Sequence, residues 1–275
     1  DEQKSKWLSK IINGELQSTL AFTEPQSRFN LNDVATIAKD NGDKVIINGK
    51  KSFVLNGKEA DTIIVPVRTS GSQTEAAGIS LFVVESDLPG ITKNNYKTVD
   101  GHSASEITFK NVEVNKDNLL GELGKGYQTL ESTIDDAILA VCAEATGIMK
   151  SLHDKTVEYS KNRVQFGVPI GGFQALQHRM VDTLMACEET ESILLWALTT
   201  NQDDSSSLKK AISGLKYQIG TAGKHVGQEA VQLHGGMGIS WELDIAHFFK
   251  RLSSIEILFG NADFHMKRFL TLSNN

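Results

Sequence analysis

The chain has 275 residues, of which 40% are hydrophobic and 23% charged, a balance that predicts a globular protein large enough for two domains with their own cores. Its formal net charge of -6 leaves no basic excess, so nucleic acid and anionic membrane surfaces are poor candidates for partners. The sequence contains no apolar run near the ~20 residues of a membrane span and no signal-peptide pattern at its polar start, so a cytoplasmic location is expected.

The first part of the chain is predicted to be rich in strands. We interpret residues 1–18 as the remnant of an N-terminal helical domain, followed by a middle β-domain, a small barrel or sandwich, over 19–122. The segment 44–57 contains two β-rich runs around an Asn48-Gly49 pair, which predicts a turn between two strands. Short apolar runs between turn residues predict further strands at 62–68, 78–86 and 105–114.

From about residue 126 the apolar positions recur at helical spacing, which predicts a C-terminal four-helix bundle over 123–275 and an α+β multi-domain protein. Long helices are expected at 126–163, 207–233 and 243–272, with one more between the first two. The core-facing stripe of that helix is predicted to be Phe173, Leu176, Met180, Leu184, Cys187, Leu194 and Leu198. Cys142 and Cys187 lie in apolar patterns and are expected to be reduced core thiols.

Several common motifs of catalysis or binding can be set aside. The segment GELGKG at 121–126 lacks the spacing of a Walker phosphate loop, so it is interpreted as a turn with a solvated lysine that leads into a helix. The seven histidines include no HExxH pair and no accompanying cysteine set, so no metal site is predicted. A nucleophile elbow and a strand-linked dinucleotide fingerprint are also missing from the sequence.

Five segments, in order and at characteristic separations, carry a family resemblance. They are LAFTEP at 20–25, VIINGKKSFVLNG at 45–57, NRVQFGVPIGGFQALQ at 162–177, QLHGGMG at 232–238 and FKRLSSIEILFG at 249–260. Together they resemble the acyl-CoA dehydrogenase family over essentially the whole chain. The resemblance implies FAD-dependent desaturation of an acyl-CoA thioester, in which a glutamate removes the α-proton and the β-hydride goes to the flavin. It also implies an electron-transfer flavoprotein as the acceptor.

In that family the FAD is shared between subunits, and the residues that hold its adenine and pyrophosphate end for a neighbour are all kept here. An arginine gives pyrophosphate a forked, permanently charged donor, and paired glycines allow the backbone to approach closely. The resemblance assigns this role to Arg163, Phe166, Gln174, Gln232, Gly235 and Gly236, and it adds Thr23 of the T-E-P motif as a cofactor contact.

The residues expected around the flavin ring and the substrate depart from the family pattern. Asp135 is kept as a pantetheine contact, but its partner arginine is replaced by Ile138, and an alternative base position falls on Ala137. Phe259 stands where the catalytic glutamate belongs. The other replacements are Arg28 and Phe29 for a glycine and a serine, Phe53 for a tryptophan, Leu55 for a threonine that bonds near flavin N5, and Asn261 for a threonine.

Loss confined to one half of a shared site predicts a subunit that lends its FAD contacts to a base-bearing partner, as a heterotetramer (α2β2). The chain resembles the base-lacking small subunits of pimeloyl-type or steroid side-chain dehydrogenases, members of the family that act in fatty acid or steroid catabolism. Two alternatives stay open. One is a complete homo-oligomeric enzyme with a relocated base at Asp263, Asp136 or Glu256, where Asp263 is expected one helical turn beyond Phe259. The other is a non-catalytic scaffold that binds acyl-CoA or a protein.

Overall fold

A computed structural model describes residues 2–201 and 204–274, which fall into two compact units, one through Thr133 and one from Ile134 onward. The first unit is built mainly of strands and the second of helices, so the predicted α+β fold class with a β-domain before a helical domain is confirmed. Among the residues described, no helix combines the length and apolar character needed to cross a bilayer.

The first unit begins with helix α1 (Glu2–Ile12) and continues as a single eight-stranded sheet. Its strands are β1 (Ser18–Leu20), β2 (Ile37–Asn41), β3 (Lys44–Leu55), β4 (Thr62–Arg68), β5 (Ile79–Glu85), β6 (Ile91–Lys97), β7 (Ser103–Asn115) and β8 (Leu119–Leu120). The order across the sheet is β6-β7-β3-β2-β4-β5-β8, and β1 adds to β4 in parallel. Buried residues that alternate along β3 and β7 place the core on one face of these strands.

The expected turn at Asn48-Gly49 is wrong. Strand β3 runs without interruption from Lys44 to Leu55 and pairs with β7 on both sides of this position, with a shift in register between Ile47 and Gly49. Asn48 Oδ1 accepts a hydrogen bond from Asn111 N on β7 at 2.8 Å, which ties the irregularity to the neighbouring strand. Lys110 and Asn111 of β7 lie opposite Asn48 alone, so the extra residue of this bulge is on β7 and the Asn-Gly pair lies within a continuous strand.

A buried ion pair organises the loop between β1 and β2. Lys51 Nζ lies 2.7 Å from Glu24 Oε1, and both side chains are buried. The same carboxylate accepts hydrogen bonds from the backbone N–H groups of Ala35 and Thr36 at 2.8 and 3.1 Å. Burial alone raises the pKa of Glu24, but the charge of Lys51 and side-chain hydrogen bonds from Lys51, Gln26 and Thr36 outweigh that effect. The pKa therefore lies below its ordinary value, and the carboxylate is charged.

The Lys51→Met variant should lower the free energy of unfolding by about 3–5 kcal/mol, because it leaves the buried carboxylate of Glu24 without its cation. The matched control is Lys50→Met, which removes the neighbouring exposed lysine and its 3.3 Å pair with Glu106 and should cost less than about 1 kcal/mol. Urea unfolding of both variants provides the comparison. Equal losses in the two variants would contradict this account of the ion pair.

The second unit contains most of α2 (Gly126–Asn162), a hairpin of β9 (Val164–Gln165) and β10 (Val168–Pro169), and four further helices. These are α3 (Gln174–Thr199), α4 (Ser205–His234), α5 (Asp244–Ile257) and α6 (Ala262–Ser273). Helix α4 packs against α3, α5 and α6 and carries the longest series of buried residues, so it is the central helix of the unit.

Two expectations for the helical unit are wrong. The single helix expected at 243–272 is broken between Ile257 and Ala262, because Phe259 and Gly260 have φ of +60° and +116°, outside the α-helical region. Of the stripe predicted to face the core on α3, Phe173, Leu184 and Leu198 are exposed, and only Cys187 is fully buried. The core face of α3 uses Thr183, Cys187, Thr190 and Ala197 instead.

The prediction for segment 121–126 holds. It forms a turn that leads into α2 at Gly126, and Lys125 is exposed and pairs with Glu122 at 2.6 Å. Cys142 and Cys187 are free and buried, in agreement with their assignment as reduced core thiols. Burial raises the pKa of the Cys142 thiol to about 12 and that of Cys187 to about 11, so both stay protonated and unreactive at neutral pH.

Candidate functional site

A short hairpin presents an aromatic ring and an arginine at the end of α2. Arg163 follows the last residue of the helix and is exposed, and its carbonyl accepts a hydrogen bond from Ile170 N at 2.8 Å, which closes the base of the hairpin. At the tip, Phe166 and Gly167 have φ of +54° and +81°, as a tight hairpin turn requires. The ring of Phe166 is held outward with 92% of its surface exposed.

The N-terminus of α3 and the C-terminus of α4 supply the other residues of the predicted set. Gln174 is the first residue of α3, and Gln232 lies in the last turn of α4, with both side chains exposed. Helix α4 ends at His234 and is capped by Gly235, whose φ of +60° and ψ of -140° suit only glycine. A Cβ atom at Gly235 or Gly236 would meet nothing within 4 Å, so a ligand has room to approach the backbone here.

A stacked pair of rings joins these two parts of the second unit. Tyr159, in the last turns of α2, stacks on His234 at the end of α4 with ring centroids 4.3 Å apart. Tyr159 O accepts the Arg163 N–H at 2.8 Å, and His234 directly precedes Gly235, so the stack links the hairpin to the glycine pair. Burial lowers the pKa of His234, and its neutral ring can stack without a buried charge.

Sequence reasoning missed Tyr159 and His234, because neither belongs to the set of expected ligand contacts. The sequence did contain a signal. Tyr159 lies just before the segment 162–177 and His234 lies within the segment 232–238, and these two segments must come together if they bind one ligand. The structure adds a further support for the hairpin tip, since Phe166 and Phe173 form an edge-to-face pair with centroids 6.2 Å apart. These contacts fix the exposed groups without covering them.

In the first unit, the two motifs expected near the flavin ring are neighbours. Thr23 O accepts a hydrogen bond from Ser52 N at 2.9 Å, which places the T-E-P segment beside the second half of β3. Arg28 and Phe53 both have positive φ, at +46° and +50°, and both are exposed. Leu55 is half-buried, and its aliphatic side chain offers no hydrogen bond.

Asp135, the expected pantetheine contact, is buried in an ion pair. Arg268 on α6 donates to both of its carboxylate oxygens, at 2.7 and 2.9 Å. The residue one turn further along α2, Ile138, is buried as well and supplies no charge. An arginine from another helix thus neutralises Asp135, and its role toward substrate stays a prediction.

Position 259 is held in an unusual backbone turn between α5 and α6. Phe259 is half-buried, and its carbonyl accepts a hydrogen bond from His265 Nε2 at 3.0 Å. The carbonyl of Gly260 accepts one from Lys216 Nζ at 2.7 Å, and Lys216 also donates to Glu256 O at 2.9 Å. Lys216 and His265 are both completely buried. Burial is the main cause that lowers the pKa of Lys216 to about 8 and that of His265 to about 3.

The break between α5 and α6 also changes the position of the candidate relocated base. Asp263 does not follow Phe259 on one continuous helix, so the expected spacing of one helical turn is wrong. Asp263 is exposed in the first turn of α6, and Asp136 is exposed on α2. The side chain of Glu256 accepts a hydrogen bond from Ala262 N at 3.4 Å. Both aspartates are open to solvent, whereas a general base of this kind works in a desolvated site.

Two family models match the chain. The model of the acyl-CoA dehydrogenase middle domain matches residues 19–112, and that of the acyl-CoA dehydrogenase C-terminal domain matches residues 124–270. The chain therefore belongs to the acyl-CoA dehydrogenase family.

Individual relatives agree with this assignment. The chain is 32% identical over 270 residues to the short-chain specific acyl-CoA dehydrogenase of Megasphaera elsdenii, which covers 94% of this chain and 68% of that protein. It is 30% identical over 253 residues to the Caffeyl-CoA reductase-Etf complex subunit CarC of Acetobacterium woodii, which covers 91% and 66%. The crystal structure of an acyl-CoA dehydrogenase from Geobacillus kaustophilus has a TM-score of 0.93 at 31% identity and covers 100% of this chain and 73% of that one. The chain spans about two thirds of the length of these curated relatives.

Family membership identifies FAD as the cofactor, as the resemblance implied. The exposed groups of the second unit fit the dinucleotide part of that cofactor chemically. Arg163 is a forked cation for a pyrophosphate, Gln174 and Gln232 are amides that can donate and accept, and Phe166 is an open aromatic face for a purine. Among the described residues no group of three or more His, Cys, Asp or Glu side chains could hold a metal ion.

The depressed pKa of His265 predicts how stability depends on pH. The unfolded chain binds a proton on this histidine near its ordinary pKa of 6.5, whereas the folded protein binds it only near pH 3. The contribution is therefore fully present above pH 6.5 and is lost progressively as the pH falls toward 3. Between about pH 7 and about pH 4 the native protein should lose about 3 kcal/mol more stability than the His265→Gln variant.

Urea unfolding at the two pH values measures this difference. His247 is exposed on α5, so His247→Gln is the matched control and should follow the native protein. A parallel loss in the native protein and in His265→Gln would show that His265 does not stay neutral in the folded state.

Proposed function

We propose that this chain is the non-base subunit of a heteromeric FAD-dependent acyl-CoA dehydrogenase. In this proposal its second unit holds the adenine and pyrophosphate end of an FAD whose ring serves the partner subunit, and the partner's glutamate removes the α-proton. The observation that carries the proposal is that the residues predicted to contact the dinucleotide are all kept and exposed in the second unit of a chain that has Phe259 at the base position.

Phe166 provides the strongest support on the cofactor side. A phenylalanine that is 92% exposed at the tip of a hairpin contributes little to folding, because aromatic rings stabilise a fold mainly through burial. Such a ring gains contact area when a purine stacks on it, and such stacking is worth about 1–3 kcal/mol for a nucleic-acid base. Arg163, three residues before it, adds the charge that a pyrophosphate needs.

The residues expected near the flavin ring and the substrate also support a subunit that has no catalytic base of its own. Phe259 has no proton-accepting group, and Leu55 has no hydroxyl for a bond near flavin N5. Asp135 already uses both carboxylate oxygens on Arg268. A set of independent losses on one side, next to complete retention on the other, favours division of labour between two unlike subunits.

The surface of α3 supports association with another subunit. Six large apolar side chains on this one helix are exposed, although soluble monomers rarely leave a patch of this kind uncovered. They are Val181, Leu184, Met185, Leu195, Trp196 and Leu198. We propose that α3 packs against a subunit in a heterotetramer that contains two copies of each chain.

The proposed reaction is the α,β-oxidation of an acyl-CoA thioester, with an electron-transfer flavoprotein as the acceptor, in the cytoplasm. The relative from Acetobacterium woodii is named as a subunit of a complex with Etf, which supports this choice of redox partner. That protein is also named as a reductase, so the assay should follow both oxidation of saturated acyl-CoA and reduction of the 2-enoyl-CoA. The resemblance to small subunits of pimeloyl-type and steroid side-chain dehydrogenases makes dicarboxylic and steroidal acyl-CoA thioesters the first substrates to test.

The test is to purify the chain alone and together with each candidate base-bearing acyl-CoA dehydrogenase chain of the same organism. We expect a flavin-poor, inactive protein in the first case and a yellow, active complex in the second, measured by absorbance and by acyl-CoA-dependent reduction of an electron acceptor. A fully flavinated and active homo-oligomer would refute the proposal. Failure of FAD to co-purify even with the partner would favour the non-catalytic scaffold.

A charge variant of the complex tests the assigned cofactor contact. Arg163→Gln should weaken FAD binding by about tenfold or more, because a hydrogen bond to a charged group contributes about 1.5–3 kcal/mol. Lys161→Gln removes the same charge two residues earlier, where the side chain leaves α2 in a different direction, and should leave FAD content unchanged. Equal effects would indicate a general electrostatic contribution rather than a specific contact.

Restoring the carboxylate should not restore the enzyme. We expect Phe259→Glu to show no more turnover than the matched Phe259→Gln variant, because Arg28, Phe29, Leu55 and Ile138 still replace the groups that polarise and position a substrate. Steady-state acyl-CoA oxidation by each purified variant, supplied with FAD, is the measurement. Turnover that is specific to the glutamate variant would show that position 259 alone disables this chain.

A further inference from the structure

Two buried side chains hold the turn that carries residue 259, and neither belongs to the residues expected to contact the cofactor or the substrate. Lys216 reaches from the middle of α4 to Gly260 O at 2.7 Å, and His265 reaches from α6 to Phe259 O at 3.0 Å. Both side chains are completely buried. Consecutive carbonyls are therefore fixed from two different helices.

The backbone between these two contacts has little freedom. A Cβ atom at Gly260 would lie 2.5 Å from the Phe264 ring and 2.7 Å from His265 Nε2, so only glycine fits beneath these side chains. Asn261 then caps α6 by accepting a hydrogen bond from Phe264 N at 3.0 Å. Phe259 itself has φ of +60°, a conformation that non-glycine residues keep only where the surroundings enforce it.

We propose that Lys216 and His265 are positioning residues that together fix the direction of the side chain at position 259. A residue with its φ set, and with its own carbonyl and the next one anchored, presents its Cα–Cβ bond in one direction. In this chain the anchored side chain is a phenylalanine, so the two residues hold a fixed apolar filler at the base position. This inference concerns the chain's own residues and does not depend on the partner subunit or on FAD.

The hydrogen bonds also identify the donor atoms of His265 and Lys216 that hold the turn. A carbonyl only accepts, so His265 must carry its proton on Nε2, and its Nδ1 has no hydrogen-bond partner among the described residues. Lys216 uses two of its three possible donors, on Glu256 O and Gly260 O. A variant that removes these donors without changing side-chain volume greatly should release the turn and leave the helices in place.

The test places a single fluorinated phenylalanine at position 259 of the full chain and follows its ¹⁹F resonance. We expect one narrow resonance in the native sequence, and a shift larger than the line width, or splitting, in Lys216→Met and in His265→Leu. His265→Gln keeps an amide donor near the position of Nε2 and should restore the native resonance. This rescue by a conservative variant separates a positioning role from simple filling of the core.

Two controls keep the outcome decisive. Lys224→Met removes an exposed lysine further along the same helix and should change nothing. Leu152→Ala destabilises the unit at a buried site on α2, about 15 Å along the helix from Cys142, which lies near Lys216, and should lower stability without moving the resonance. An unchanged resonance in Lys216→Met, or an equal change in Leu152→Ala, would overturn the proposal. If Lys216→Met fails to fold, the comparison of His265→Leu with His265→Gln decides alone.

Discussion

The helical unit depends on how it accommodates one cation in its core. Lys216 lies on the buried face of the central helix α4, among Ile212, Leu215 and Ile219, and burial of an ammonium group is costly unless its donors are used. It is satisfied by carbonyls at the end of α5 and at the break before α6, so the break supplies acceptors that a continuous helix would have kept for itself. The buried ammonium group therefore depends on carbonyls that the helix break leaves free, and its hydrogen bonds connect α4 to the end of α5 and to the start of α6.

The strand unit solves the same problem in a different way. Lys51 is as deeply buried as Lys216, but it pairs with a carboxylate, and that carboxylate also collects the N–H groups of Ala35 and Thr36. Burial lowers the pKa of both lysines. The charge of Glu24 opposes this effect at Lys51, whereas Lys216 has carbonyls as its hydrogen-bond acceptors and a pKa lowered to about 8. Among the described residues, each unit thus has one buried lysine that holds a loop, and the two differ in their acceptors, a carboxylate for Lys51 and backbone carbonyls for Lys216.

Much of this arrangement could be predicted from the sequence, because strands 62–68 and 78–86 and helices 126–163 and 207–233 carry strong periodic signals and agree with the structure to within about two residues. The errors arose where one residue pattern serves two structures. Asn48-Gly49 has the residue preferences of a turn, and only its pairing with β7, which carries the extra residue opposite Asn48, shows that the strand continues. The break at Phe259 was hidden because phenylalanine, unlike glycine, gives no sign of a positive φ. Lys216 was a visible anomaly on an apolar face, but its acceptors belong to residues 40 and 44 positions away.

The exposed apolar stripe of α3 explains why the sequence pattern gave the wrong core face for this helix. Periodicity identifies a face that avoids water, but it does not distinguish burial within a subunit from burial between subunits. Leu184 and Leu198 follow the core pattern and are exposed, while Thr183 and Thr190 are buried, and Thr183 Oγ1 lies 2.9 Å from His153 Nδ1 on α2. An interior face of small and polar residues beside an exterior face of large apolar ones is the arrangement expected when a second chain covers the helix. The same reasoning applies to Phe166, whose exposed ring is costly in an isolated chain and useful in an assembly that brings a ligand to it.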